Sequence, residues 1–167
     1  MIARHARNNF RHMNISAGKI LVSSPEMSDP QFTATSVFIA EHNNRGAMGF
    51  VFNKIFERPL NALTEFMSSP AFPLFDGGPV DKEHLFFVHR NNEIPGGRLI
   101  INDIYLGGDF TKAIALINKG TLSPSAIKIF IGYCGWDAGE LEAEIAEGSW
   151  EITDADAAGI FSDDLIV

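Results

Sequence analysis

Four polar residues in the first third of the chain have side chains that could perform acid–base chemistry or bind a ligand: Asp29, Glu41, His42 and Asn53. A carboxylate within reach of an imidazole can act as a general acid and base, and Glu41 or Asp29 with His42 would form that pair. Glu41 and His42 are neighbours on a predicted strand, where successive side chains point to opposite faces. His42 lies at the strand end, where this alternation is less strict, so the acid–base interpretation stays open.

Glycine-rich segments are the second candidate set. Gly77-Gly78-Pro79 is one, and Gly107-Gly108 and Gly132 to Gly135 each connect a predicted strand to a predicted helix. Helix N-termini attract phosphate, but neither junction has the glycine spacing of a Walker or dinucleotide motif. Asp109 and Asp137 would also cap the two helices and place a negative charge where phosphate would bind. We therefore interpret both junctions as structural and keep the Gly77–Pro79 turn as part of a candidate binding surface.

Metal binding and thiol chemistry have weaker support in the sequence. His84 and His89 are five residues apart on a predicted strand and would point to opposite faces. No histidine spacing matches a zinc motif, so we expect neither a metal nor a cofactor. Cys134 is the only cysteine, which excludes an internal disulfide. An acidic segment follows it and no base is near in sequence, which favours a small buried residue over a catalytic thiolate.

Trp136 is the last residue of the candidate surface. It precedes a segment in which Leu141 and Ile145 have helical spacing, which predicts a helix over 137–147 with its cap at Asp137. Three glutamates of this helix are expected to face water, where a basic partner could also meet them: Glu140, Glu144 and Glu147. We expect Trp136 and Trp150 to pack against the apolar stripe of the helix, although the glycines beside Trp136 could present its indole in a groove.

The elements that must position these residues follow from hydrophobic periodicity. Seven strands are predicted, over 19–24, 35–42, 47–53, 84–89, 98–106, 126–133 and 150–153. Helices are predicted over 60–68, 109–119 and 137–147, with a short one over 157–161. Residues 43–46 are predicted to form a four-residue hairpin loop. Because strands and helices do not alternate regularly, the expected class is α+β, with a mixed sheet and three to four helices.

Charge is unevenly distributed along the 167 residues, whose formal net charge is −8. Residues 1–14 carry three arginines and no acid, whereas residues 137–167 carry ten acids and no lysine or arginine. We expect residues 1–14 to be a flexible basic arm and residues 15–167 to form a single domain. An acidic body repels phosphate backbones, so direct nucleic-acid binding by the folded domain is not expected. Arg4, Arg7 and Arg11 could add only weak, salt-sensitive contacts.

Membrane association and secretion are not expected either. The longest aliphatic run, over 113–117, is far shorter than the ~20 apolar residues that span a bilayer. The N-terminal segment has positive charge but lacks the apolar stretch of a secretory signal. We therefore expect a cytosolic protein without a membrane partner.

Several of these segments together resemble the AlgH/YqgE family of small bacterial proteins. The motifs occur in the family's order: Gly18 to Phe32, Glu41-His42-Asn43, Gly46 to Gly49 with Asn53, Gly77-Gly78-Pro79-Val80, and Gly132 to Ile145 with Trp150. The resemblance covers about residues 18–161. It implies one compact α+β domain with a barrel-like mixed sheet, located in the bacterial cytosol.

The resemblance also implies a role as a transcriptional regulator, the label that the family carries, and it supplies no catalytic residues. The sequence has no recognisable helix-turn-helix or zinc finger, and its body is acidic. Our leading hypothesis is therefore a non-enzymatic regulator or adaptor that acts through a protein partner or small ligand. The alternative is a hydrolase-like enzyme that uses Glu41 or Asp29 with His42. Nothing in the sequence indicates the oligomeric state, and the candidate residues are expected to share one groove.

Overall fold

A computed structural model of the chain describes residues 14–162, and within them nine strands form one sheet. Most of the predicted basic arm, residues 1–13, and residues 163–167 lie outside the described part. The strands are β1 (Ile20–Ser23), β2 (Ser36–Asn43), β3 (Gly46–Val51), β4 (Leu74–Asp76), β5 (Val80–His89), β6 (Arg98–Ile101), β7 (Ile104–Leu106), β8 (Ile127–Asp137) and β9 (Trp150–Thr153). The helices are α1 (Phe110–Asn118) and α2 (Glu140–Ala146), with single 3₁₀ turns at Pro30–Phe32, Leu60–Ala62, Thr64–Phe66 and Ala157–Phe161.

The sheet is mostly antiparallel and open. Its order is β6-β7-β5-β8-β3-β2-β1-β9, and β4 pairs in parallel with β8. The predicted barrel-like sheet is therefore wrong, because β6 and β9 end the sheet without pairing to each other in the described part. The β6 end instead meets the β1–β2 end through side chains. Ile101 of β6 packs against Gly18, and Arg98 contacts Glu41 of β2.

β8 is the central strand, and the alternation of its side chains between the two faces of the sheet is interrupted near its middle. Ile129 and Ile131 belong to one buried cluster and Phe130 to another, as expected for a strand that is buried on both faces. Phe130 and Tyr133 then both pack on the same cluster although they are three residues apart. Gly132 between them has a φ of 74°, a conformation that glycine adopts without steric cost. This irregularity lets one strand serve two different layers of the core.

Three buried clusters fill the space around the sheet. The first is centred on Phe38, Phe50, Phe52, Phe75, Phe130 and Ile160. The second places α1 and the Leu60 segment against the first half of β8, and it includes Leu60, Leu74, Leu116, Ile117, Ile127 and Ile129. The third places α2 against β2, β3 and the end of β8, and it includes Val37, Ile39, Trp136, Leu141, Ile145 and Trp150.

The helix predicted over 60–68 is not formed as one helix. Two 3₁₀ turns take its place, separated by Leu63 in an extended conformation (φ −83°, ψ 136°). A helix of nine residues forms few backbone hydrogen bonds, and these offset little of the free-energy cost of helix nucleation. Burial of the Leu60 side chain stabilises the segment more. The N–H of Leu60 also donates to the carbonyl of Phe72 at 2.8 Å. The Pro-containing segment that follows, residues 69–73, leads into β4, which the sequence did not predict.

Other element boundaries also differ from the predictions. The β2–β3 hairpin has only Asn44 and Arg45 in its loop, because Asn43 pairs with Gly46. Residues 98–106 form two strands that turn at Asn102, where φ is 52°. In α1 the predicted cap is confirmed, since Asp109 accepts a hydrogen bond from the N–H of Lys112 at 3.2 Å.

The predicted start of α2 is wrong. Asp137 does not cap the helix, because it is the last residue of β8 and pairs with Gly46. The helix begins at Glu140 after Gly139, which has a φ of 83° and makes no side-chain cap bond. The strand extends this far because Trp136 is buried in the third cluster.

No helix among residues 14–162 is both long enough and apolar enough to cross a membrane. The longer of the two, α1, has nine residues.

Candidate functional site

Glu41 lies at the rim of a surface depression. The β2–β3 register shifts between Ile39 and Glu41, so that Glu41 lies opposite Met48. A bulge of this kind redirects a side chain, and here Glu41 faces the side of the sheet on which Met48 packs against the first cluster. Its carboxylate accepts from the guanidinium of Arg98 on β6. Both side chains keep solvent contact, with 35% of Glu41 and 62% of Arg98 exposed.

His42 belongs to the opposite face of the sheet. It lies opposite Ala47, which packs on the third cluster, and its Nε2 is 3.0 Å from Oε1 of Glu142 on α2. The imidazole therefore connects the strand end to the helix. Glu41 and His42 therefore lie on opposite faces of the sheet and do not converge on a common point.

Asn53 and Asp29 both bind backbone groups, Asn53 across the β2–β3 hairpin and Asp29 within its own turn. The Asn53 side chain accepts from the N–H of Ser36 at 2.9 Å and donates to the carbonyl of Ala34 at 3.1 Å. It thereby fixes the entry into β2 next to Ala34, which has a φ of 54°. Asp29 caps the first 3₁₀ turn by accepting from the N–H of Gln31 at 2.9 Å. Both side chains are thus engaged in hydrogen bonds to the backbone.

Replacing Asn53 with alanine should lower the free energy of unfolding by about 2 kcal/mol, because the N–H of Ser36 and the carbonyl of Ala34, both in partly buried hydrogen bonds, lose their partner. Urea denaturation of the variant and the wild type measures this loss. Asn44→Ala, in the exposed hairpin loop, is the control and should change stability by less than about 0.5 kcal/mol. Equal stability of the two variants would contradict a structural role for Asn53.

The Gly77–Pro79 turn carries the chain across β8. β4 pairs with one edge of β8 and β5 with the other, so residues 77–79 must pass over the β8 backbone. A Cβ added at Gly77 would lie 2.4 Å from the carbonyl oxygen of Gly132, and one at Gly78 would lie 2.2 Å from the carbonyl carbon of Tyr133. The glycines of this motif are required by the close approach of two backbones, with or without a ligand.

Trp136 and Trp150 share one hydrogen-bond acceptor on α2. Their indole N–H groups both donate to Oε1 of Glu144, at 3.2 Å and 2.9 Å. The expectation that Glu144 faces water is therefore wrong, while the packing of both tryptophans against the helix is confirmed. Glu140 and Glu147 are exposed as expected. Sequence periodicity could not reveal this role, because the two indoles come from β8 and β9.

Cys134 is buried, as expected for a core residue. Its Sγ lies 3.4 Å from the carbonyl oxygen of Gly77, to which the thiol donates. Burial raises the pKa of this thiol to about 12. A thiol with such a pKa is protonated at neutral pH and is a poor nucleophile, so Cys134 contributes packing at the crossing.

Lys128 is a buried cation that no sequence motif indicated. Its ammonium donates to the carbonyl oxygen of Phe52 at 3.3 Å and lies 4.1 Å from the ring centroid of Phe75. An ammonium over an aromatic face is attracted by the ring electrons. The side chain is thus held within the aromatic first cluster.

His84 and His89 have different environments and form no joint site. His84 is exposed on β5, and its hydrogen bond to Asp81 at 2.6 Å raises its pKa. His89 is only 1% exposed and lies between the rings of Phe87 and Tyr105. Within residues 14–162 no group of three or more His, Cys, Asp or Glu side chains could hold a metal ion.

The surroundings of His89 favour a neutral imidazole. Nε2 bonds the carbonyl oxygen of Gly107 at 2.9 Å, and Nδ1 accepts from the N–H of Asn91 at 3.2 Å. Only a ring protonated at Nε2 alone satisfies both contacts. Burial lowers the pKa of His89 from its ordinary 6.5.

Stability should therefore fall as the pH falls below about 6.5, because the unfolded chain then binds a proton that folded His89 does not. Above that pH the contribution of neutral His89 to the free energy of unfolding is fully present. Urea denaturation at about pH 7 and about pH 5.5 measures the loss, which His89→Gln should reduce. His84→Gln is the control: the pKa of His84 is raised, so its contribution has the opposite sign and its removal should leave the loss in place. An unchanged loss in His89→Gln would contradict this assignment.

The structure brings together only part of the predicted surface. Glu41 and Trp136 line one depression of about 470 Å³, together with Ala47, Met48, Val80, Tyr133, Gly135 and Asp137. Gly78 and Pro79 line a different cleft of about 250 Å³, beside Phe32 and Lys54. Asp29, His42 and Asn53 line neither. The single groove expected from the sequence is therefore wrong, and the depression at Glu41 is the site that remains.

An unpaired strand edge borders this depression. The β5–β8 ladder ends at the pair of Val80 and Tyr133, whereas the β3–β8 ladder continues to the pair of Gly46 and Asp137. Residues 134–137 of β8 are thus paired on one edge only within the described chain. The crossing at Gly77–Pro79 is the cause, because it takes the chain away from that edge. The sequence signal that could have revealed this site is the extension of β8 to Asp137, which the predicted helix cap concealed.

Comparisons with known proteins agree on one family. The family model described as AlgH-like (DUF179) matches residues 20–165. A UPF0301 protein of Chlorobium luteolum is 38% identical over 152 residues, which cover 90% of this chain and 80% of the relative. A UPF0301 protein of Bacteroides fragilis is 36% identical over 151 residues, covering 90% and 77%.

Two solved structures are similar to the whole domain. The solution structure of the AlgH protein from Pseudomonas aeruginosa matches with a TM-score of 0.70 at 29% identity, covering 89% of this chain and 82% of that one. The crystal structure of a Corynebacterium diphtheriae protein matches with a TM-score of 0.75 at 19% identity, covering 97% and 87%, and supports the fold alone. The open nine-stranded sheet and the matched sequence motifs lead to one conclusion: this chain belongs to the AlgH-like UPF0301 family.

Proposed function

We propose that this protein is a non-enzymatic adaptor that binds an extended segment of a partner protein along the open edge of β8. The observation that carries the proposal is the register of β8, whose residues 134–137 are paired with β3 but not on the opposite edge. Unpaired N–H and C=O groups on a strand edge are a ready template for another strand. Strand addition of this kind uses main-chain hydrogen bonds for affinity and neighbouring pockets for specificity.

The side chains around the edge suit such a segment. Val80 is 39% exposed at the start of β5, and Met48 and Tyr133 are half-buried beside it. Exposed apolar side chains next to an unpaired edge favour a partner that covers them. Gly135 is exposed and has no side chain to obstruct an approaching backbone.

The charges near the edge support a protein partner over nucleic acid. Glu41 and Asp137 line the depression, and Glu140 is exposed at the start of α2. Carboxylates at these positions repel phosphate groups. A role in transcription would therefore be exerted through another protein. The pair of Glu41 and His42 gives no support to acid–base catalysis, since the two side chains belong to opposite faces of the sheet.

The test uses short peptides selected from a random library on the full-length protein, with binding mapped by NMR. Selected peptides should shift the amide signals of Val80 and Gly135 to Asp137. Methylating alternate peptide nitrogens provides a matched control, since every second N–H of an added strand faces β8. One methylated set should abolish binding and the complementary set should not. Equal tolerance of both sets, or shifts confined to other regions, would overturn the proposal.

A further inference from the structure

The depression beside the open edge has an imbalance of charge. Two carboxylates, Glu41 and Asp137, line it, and its lining contains no lysine or arginine. Asp137 forms no ion pair with any residue in 14–162. Among the same residues, Glu41 is paired only with Arg98, which reaches it from β6 across the open side of the sheet. The site therefore presents more negative charge than the fold neutralises.

Arg98 is an easily displaced partner for Glu41. Its side chain is 62% exposed and lies on the end strand of the sheet. Ion pairs at such exposure contribute little, because both groups are well solvated when apart. Displacing Arg98 would therefore cost a guanidinium of the bound segment little binding free energy. Its planar group can also donate two parallel hydrogen bonds to the Glu41 carboxylate.

We propose that the partner segment carries an arginine that replaces Arg98 on Glu41, so that Arg98 acts as an internal competitor for the site. This inference rests on the proposed strand addition at β8. In an extended segment, residues two positions apart lie on the same face, about 6.6 Å apart. Glu41 lies in the cross-strand row of Gly135, and Val80 lies in the row of Tyr133, two residues further along β8. An arginine directed to Glu41 can thus be followed two residues later by an aliphatic side chain that covers Val80. The occupant is a basic, alternating strand of another protein.

The experiment titrates full-length protein with two capped peptides of alternating threonine, arginine and valine, one of them with citrulline in place of arginine. Citrulline keeps the shape of arginine and removes its charge. The wild type should bind the arginine peptide more tightly, and this preference should shrink as salt is added. Glu41→Gln should abolish the preference. Arg98→Gln should raise affinity for the arginine peptide about threefold while leaving the citrulline peptide unchanged.

Arg45→Gln is the matched control, because it removes the same charge from the exposed β2–β3 loop outside the depression. An equal gain in that variant would show a bulk charge effect and overturn the inference. Equal binding of both peptides at the β8 edge would also overturn it, while leaving the proposed adaptor function intact. If neither peptide shifted an amide signal at the β8 edge, both this inference and the proposed adaptor function would be overturned. Concentration-dependent pairing of the protein with itself at this edge, measured by sedimentation, would make a second copy the occupant and contradict the inference.

Discussion

Gly132→Ala should lower the free energy of unfolding by about 2–5 kcal/mol. Two costs add at this position. Gly132 has a φ of 74°, a conformation in which an L-residue is strained by about 1–2 kcal/mol. The new Cβ would also lie 2.4 Å from the carbonyl oxygen of Gly78, so the two crossing backbones would have to separate. Urea denaturation, followed by far-UV circular dichroism, measures the loss.

Gly120→Ala separates the two costs. Gly120 follows α1 with a φ of 75°, almost the same as Gly132, and no heavy atom lies within 4 Å of where its Cβ would stand. This control variant should lose only about 1–2 kcal/mol of unfolding free energy, the cost of backbone strain at positive φ. The difference between the two variants then measures the steric cost of the crossing. Equal losses would mean that the crossing tolerates a side chain, contrary to the packing described above.

The crossing also determines where the candidate site lies. Because the chain leaves one edge of β8 at β4 and rejoins the other at Val80, the last residues of β8 remain unpaired on the β5 side. A longer β5, continuing past Tyr133, would have covered this edge. The glycines of the Gly77–Pro79 turn are thus structural, yet they create the open edge on which the proposed function depends. A motif can serve function through backbone geometry without contacting a ligand.

The local elements of the fold could be predicted from the sequence. The β2–β3 hairpin, β8, β9 and α1 follow from hydrophobic periodicity and from a cap such as Asp109, because those signals lie within a few residues. β4 could not be predicted, since its three residues are surrounded by prolines and are held by pairing with β8. The open sheet was missed for a related reason, because closure depends on how distant strands meet.

The candidate site was only partly predictable. Glu41 and Trp136 were identified from residue type, but the bulge before Glu41 decides which face its carboxylate occupies. Arg98 was not identified, because no local pattern connects it with a glutamate 57 positions earlier in the sequence. Asn53 was a sound candidate by type and is engaged in backbone hydrogen bonds instead. Residue type indicates possible chemistry, whereas register decides which residues meet.

Glu144→Leu should lower the free energy of unfolding by about 2–5 kcal/mol, because two buried indole N–H groups lose their shared acceptor. An unpaired buried donor costs about 1–3 kcal/mol, and leucine restores only part of this through apolar packing. Urea denaturation measures the change. Trp136 and Trp150 are the only tryptophans of the chain, so the fluorescence of the folded state should shift as well.

Two further variants isolate the hydrogen bonds from charge and helix propensity. Glu144→Gln keeps an oxygen that can accept both indoles and should lose only about 1 kcal/mol, since the acceptor is no longer charged. Glu147→Leu makes the same substitution at an exposed position at the end of α2 and should stay within about 0.5 kcal/mol of the wild type. If Glu144→Leu were as stable as Glu147→Leu, the indoles would not depend on Glu144. The carboxylate would then be a solvated surface group, and the position of α2 on the sheet would rest on apolar packing and on the contact between His42 and Glu142.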